Sequence, residues 1–189
     1  SDVSFSILNS SVIPGIKRSL DIRLPKKVSE KDLVQIAIEL KAQDPRDYQR
    51  IFICYYLPGM PVDSGAWATT HFNPTLEVQI LGLTAKEMQA VTTQPESAKR
   101  DHIGRWIDES PLMGGRISIF RQGGDLFIEL LFKDKSTYKK ELVVKNTPLG
   151  RRFDMVVKSS AGDHWVLGSD GVLQVRDSEG LIALAKPVK

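Results

Sequence analysis

The residues of this chain able to act on a substrate are three histidines, His71, His102 and His164, the lone cysteine Cys54, and a few serines and carboxylates beside them. A hydrolase would take Ser64 as nucleophile, His71 as base and Asp63 as the orienting acid. Ser64 lacks the G-x-S-x-G elbow that exposes a nucleophile on a strained turn, and Asp63 and Gly65 on either side of it make an ordinary turn. The histidines form no H-x-H or H-E-x-x-H pattern and no zinc-like spacing with cysteine, so no metal is expected. Asp163-His164-Trp165 places an acid beside a histidine, but neighbours on a strand point to opposite faces. Asp108-Glu109 fails as a glycosidase dyad for the same reason, since both carboxyls must face one sugar. Gly114-Gly115 and Gly123-Gly124 lack the context of a phosphate-cradling loop; they read as turn glycines, and no cofactor is expected.

One segment stands out as a binding surface. The stretch 57–72 contains Leu57-Pro58-Gly59-Met60-Pro61, a loop rich in chain breakers that also carries apolar side chains. Long loops of this kind are often functional. The expected recognition edge is made by Met60, Trp67, Thr69 and His71. The competing structural expectation is that Trp67 is buried and staples the two halves of the chain together, as large aromatic side chains are mostly buried.

The elements that must position these residues change in rhythm near residue 100. Before it, Val3, Phe5 and Ile7 alternate with serines, and Leu20, Ile22 and Leu24 alternate with polar residues, so two half-buried strands are expected. Ser29 and Asp32 have the spacing of a capping box, and Leu33, Ile36, Ala37 and Leu40 follow at helical intervals, which predicts a helix over 29–43. The run 51–57 is apolar on both alternating sets, as in a central strand covered on both sides, so Cys54 is expected to pack as a small hydrophobe. Leu76, Val78 and Ile80 form a further strand, and Thr84 with Glu87 opens a short second helix.

After it, strand-like segments recur near 103–107, 115–121, 126–133, 137–144, 153–157, 164–168, 172–176 and 181–185, separated by Gly/Asp turns. Such spacing predicts an antiparallel meander or barrel. The fold class expected is therefore α+β: an N-terminal antiparallel sheet with one packed helix over 1–92, a polar linker over 93–102, and a C-terminal antiparallel β-meander or small barrel over 103–189.

Composition narrows the function classes. The 189 residues carry 26 Lys and Arg against 23 Asp and Glu, a net charge of +3, and the basic pairs are scattered among acids; this argues against nucleic acid. A single cysteine excludes an intrachain disulfide, and no apolar run is long enough for a transmembrane helix. The sequence starts at Ser1, so the compartment, bacterial periplasm or cytoplasm, depends on what precedes it.

Gly104-Arg105-Trp106 opens the second half, and with the meander after it this region resembles the calycins, the lipocalin and avidin-like barrels. The resemblance implies a barrel in which the glycine permits close approach and the tryptophan plugs one end. Taken whole, through 56–60, 65–72 and 180–183, the chain resembles bacterial proteins of unknown function. The expected function is non-catalytic binding of a protein or cell-envelope partner. The alternatives are a carrier of a small apolar ligand inside a calycin-like barrel and a hydrolase using Ser64 and His71.

Overall fold

The protein is described by a computed structural model, which covers residues 3–62, 65–96, 99–111 and 114–188. The fold is α+β and mostly strand, in two compact units, Ser1–Ala85 and Lys86–Lys189.

The first unit is a five-stranded sheet in the order β1 (Ser6–Ile13), β2 (Gly15–Arg23), β3 (Tyr48–Tyr56), β4 (Ala68–Phe72), β5 (Leu76–Ile80). An antiparallel sheet was expected; the sheet is mixed, because β2 and β3 pair in parallel. The physical reason is the helix α1 (Glu30–Ala42) between them, since a parallel pair needs a crossover connection of this kind. The helix starts as the spacing requires. Ser29 Oγ accepts from the Asp32 amide at 3.1 Å, and the Asp32 carboxylate accepts from the Ser29 amide at 3.0 Å. Its apolar stripe, Leu33, Ile36, Ala37 and Leu40, is fully buried against Leu20, Ile22, Ile53 and Tyr55. At the other end of the helix the buried Arg18 donates to the Leu40 carbonyl at 2.6 Å, satisfying a carbonyl the helix leaves open. The first strand also differs from expectation. It begins at Ser6 rather than Val3 and is exposed on both faces, because it is an edge strand whose hairpin with β2 runs on to Pro14-Gly15.

The helix α2 (Ala85–Thr93) precedes a barrel formed by β6 (Asp101–Asp108), β7 (Gly115–Gln122), β8 (Asp125–Phe132), β9 (Thr137–Thr147), β10 (Gly150–Met155), β11 (His164–Leu167), β12 (Leu173–Arg176) and β13 (Leu181–Pro187). Each strand pairs antiparallel with the next, and β13 closes on β6 through Lys186↔Ile107 and Pro187↔Trp106. Alternation along each strand sends Trp106, Ile117, Ile119, Ile128, Phe153, Trp165 and Leu173 inward, where they form one buried cluster. The glycine of the G-x-W triplet is there for space. A Cβ on Gly104 would lie 2.4 Å from Cη2 of Trp106, whose Nε1 donates to the Gly171 carbonyl at 2.8 Å.

The outer face of β7 is buried as well, because the polar stretch before β6 lies on it. Arg116 donates to the carbonyl of Gln94 at 2.8 Å, Glu96 meets His102 Nε2 at 2.7 Å, and Arg100 makes a two-pronged pair with Glu129 at 2.7 and 2.9 Å. The Arg100 guanidinium also sits 4.1 Å from the Phe120 ring centre. Beyond this network, no helix among the described residues is long and apolar enough to cross a membrane.

Candidate functional site

Among the residues singled out from sequence, Trp67 is fully buried in the first unit's core. Its Nε1 donates to the Leu83 carbonyl at 2.9 Å, and its own carbonyl accepts from the amides of Leu81 and Gly82. It offers no surface to a partner. Met60 is half-buried against the same core, its carbonyl accepting from Arg23 at 2.7 Å and its Sδ from the Leu57 amide at 3.4 Å. Thr69 and His71 lie on the sheet face opposite the helix, beside Cys54 and Phe52 respectively, and the His71 ring meets Phe52 edge-on at 5.6 Å. Thr69 and His71 thus share a face, and Met60 and Trp67 belong to the core. The half-buried Cys54 thiol is pushed up by burial and by the Asp21 carboxylate, which disfavours the thiolate. Asp63 and Ser64 lie outside the described residues.

A concave surface lies on the outer wall of the barrel. Inward packing of Phe153, Met155, Trp165 and Val175 turns Arg152, Asp154, His164, Val166 and Arg176 outward. Strand register then aligns Asp154, His164 and Arg176 in one row across β10, β11 and β12, with Arg152 and Val166 in the next. Two clefts, of about 510 and 600 Å³, lie over these rows and share Arg152, His164, Asp177 and Ser178. Val143, Leu149 and Val156, all about half exposed, add an apolar lining.

Backbone devices hold the rims. The turn after β12 is tied by Asp177 Oδ1, which accepts from the amides of Glu179 and Gly180 at 2.8 and 2.9 Å. It is clipped to the connection before β11 by the Ser178 amide donating to the Ala161 carbonyl at 3.0 Å. At the β9–β10 turn Gly150 has φ +127°, and a Cβ there would lie 2.1 Å from the Leu167 carbonyl oxygen. His164 Nδ1 is 2.9 Å from the Gly162 carbonyl, an atom that only accepts, so this nitrogen carries the proton and Nε2 is the acceptor of the neutral ring.

The charges are paired within the wall. Asp154 accepts from Arg152 at 2.7 and 2.9 Å and from Lys145 at 3.1 Å. Burial raises the Asp154 carboxyl, but these two cations outweigh it and hold the group below the usual carboxylate range. Arg176 donates to Gln174 at 3.0 Å. The site therefore presents fixed cations, fixed acids and exposed valines side by side.

No family model, curated protein or solved structure matches this chain.

The cleft must accordingly be read from its own chemistry. Among the described residues no group of three or more His, Cys, Asp or Glu is placed to hold a metal. Ser178 and His164 line both clefts, and His164 Nδ1 is engaged by the Gly162 carbonyl rather than by Ser178. The row holds one acid, one imidazole and one guanidinium, Asp154, His164 and Arg176. Sequence reasoning passed over this site because its residues are distant in the chain. The one local sign was Asp163-His164-Trp165, where the alternation does send Trp165 inward and His164 outward.

Proposed function

We propose that this protein is a non-catalytic binding module and that the outer wall of its barrel, over β9 to β12, takes an extended polypeptide segment of a partner protein. The observation that carries this reading is the pair of adjoining clefts sharing Arg152, His164, Asp177 and Ser178. Their lining mixes paired charges with exposed Val143, Leu149 and Val156. Binding sites on proteins combine an apolar core with a polar rim in this way. Arg152 and Arg176 would take carboxylates of the segment, and the valines its apolar side chains.

Selection from a random peptide library against the whole protein tests it. Peptides rich in acidic and apolar residues are expected, and in solution NMR they should perturb amides around Arg152, His164 and Ser178. Arg152→Glu should weaken the selected peptides at least about tenfold, which is some 1.4 kcal/mol. Peptides that map to the sheet face of Thr69 and His71, or that ignore the Arg152 change, would refute the assignment.

A second reading, a carrier of a small apolar ligand, is favoured by closure of the eight strands and by Trp165 Nε1, which is buried in the barrel without a hydrogen-bond partner. Native mass spectrometry would support it with a bound small molecule displaced on unfolding. Against it stand Trp106, Phe153 and Trp165, three large side chains buried together in the barrel core.

A further inference from the structure

The two clefts of the barrel wall are balanced in charge, and one residue common to both can tip them. β10 supplies Arg152 and Asp154, and β12 supplies Arg176. β9 adds Lys145, the connection before β11 adds Lys158 and Asp163, and the turn after β12 adds Asp177 and Glu179. Four cations thus stand against four carboxylates, and His164, which lines both clefts, decides the sign of the whole. Most of this residue is out of water, at 7% exposed, so a charge on its ring is felt by neighbouring groups with little screening. Asp154, opposite it on β10, already shares its carboxylate between Arg152 at 2.7 Å and Lys145 at 3.1 Å. Asp177 commits Oδ1 to the amides of Glu179 and Gly180 at 2.8 and 2.9 Å. On the other side of His164 stands Arg176, which donates to the uncharged Gln174. With Nδ1 held by the Gly162 carbonyl, Nε2 is the nitrogen left to meet a ligand.

We infer that His164 makes binding at the barrel wall pH-dependent, so that a carboxylate-bearing segment is held more tightly as pH falls. The inference rests on the proposed reading of the wall as a peptide site and names the regulation of that site. Histidine changes its charge between about pH 8 and 5. In the neutral ring Nε2 accepts a hydrogen bond; once protonated it donates one, and the clefts then carry one positive charge in excess. Asp154 and Asp177 are engaged within the wall, so the answering carboxylate comes from the segment. Hydrogen bonds between charged partners are stronger than neutral ones, and Arg176, the cross-strand neighbour of His164, supports the same carboxylate. A pair of this kind changes affinity about fivefold. By reciprocity the bound segment favours the protonated ring by the same factor.

An acidic peptide selected on the whole chain, titrated by fluorescence anisotropy, should bind about fivefold tighter at about pH 5.5 than at about pH 8. Its Asp and Glu residues stay ionised over that range, and replacing them with Asn and Gln should abolish the ratio. His164→Asn, whose amide can still donate to the Gly162 carbonyl, should bring the ratio to about one. His102→Asn, on β6, should leave it at about fivefold. Ring-proton NMR of the parent needs no variant: His164 should titrate about 0.7 pH higher in the complex, the same fivefold seen from the other partner. A peptide that maps to the wall with an affinity flat in pH, a ratio that survives His164→Asn, or a His164 titration unmoved by peptide would each overturn this inference and leave the wall as a peptide site. Peptides that map elsewhere, or that ignore Arg152→Glu, would overturn that reading and the inference together.

Discussion

Replacing Gly104 with alanine drives a methyl group into the second ring of Trp106. The new Cβ would lie 2.4 Å from Cη2 and 2.6 Å from Cζ2, where carbon atoms at rest stand about 3.5–4.0 Å apart. The indole must retreat by more than about 1 Å to reach that separation. It is 3% exposed and enclosed by the barrel core, so the retreat displaces its neighbours. Overpacking of this kind costs about 1–3 kcal/mol. The same movement pulls Nε1 from the Gly171 carbonyl, now at 2.8 Å, and loses about 1 kcal/mol more. Gly104→Ala should therefore lower the stability of the barrel by about 2–4 kcal/mol in urea unfolding followed by circular dichroism. Phenylalanine at 106 has no second ring, so in the Trp106→Phe background the same change should cost less than about 1 kcal/mol, giving a coupling of at least about 1 kcal/mol in the double-mutant cycle. A Gly104→Ala cost below about 0.5 kcal/mol, or strict additivity with Trp106→Phe, would refute the close approach as the reason for the glycine.

Two carboxylates should pull the acid stability profile in opposite directions. Arg100 holds Glu129 below the usual glutamate range against the opposing effect of burial, so the pair stabilises fully above about pH 4.3 and its contribution is lost as pH falls through the lower folded value. Glu129→Gln should cost about 2 kcal/mol at neutral pH and flatten that acid limb in pH-dependent urea titrations. Burial raises the Asp108 carboxyl despite the Ser110 amide at 2.8 Å, so the native state loses stability as pH rises from about 3.9 through the raised folded value. Asp108→Asn should remove that loss and leave the protein more stable at pH 7 than the parent; a less stable variant would show that the charge has a partner. Trp67→Phe should cost about 2 kcal/mol in thermal or urea unfolding, through lost volume and the lost bond to Leu83, while peptide binding at the barrel wall stays unchanged; reduced binding would reinstate Trp67 as a recognition residue.

Local signals were legible in the sequence and distant ones were not. Ser29 and Asp32 announce the helix because a capping box is complete within four consecutive residues. The eight C-terminal strands announce themselves by alternation and by turns, and their antiparallel order follows from short connections. Strand direction across a helix is different: alternation in β2 and β3 reads the same whether they run parallel or antiparallel, so the mixed sheet escaped notice. The polar stretch around Glu96 reads as a linker because its carboxylate and Arg100 look solvated until Arg116, His102 and Glu129 are brought to them. The barrel-wall site has the same character. Arg152, His164 and Arg176 become neighbours only through the pairing of β10, β11 and β12.

β9 joins its neighbours in two stretches. Its first half pairs with β8 and its second half with β10, and the two ladders overlap at Glu141 and Leu142: Leu142 stands opposite Leu126 on one side and Met155 on the other, and the Glu141 carbonyl accepts from the Val156 amide at 3.0 Å. Leu142 is also the one fully buried residue of that strand. The barrel is thus fastened there by a short overlap between two lap joints. Loosening near Thr137 would widen one mouth of the cylinder while the opposite rim, with its turn at Gly150, stayed shut.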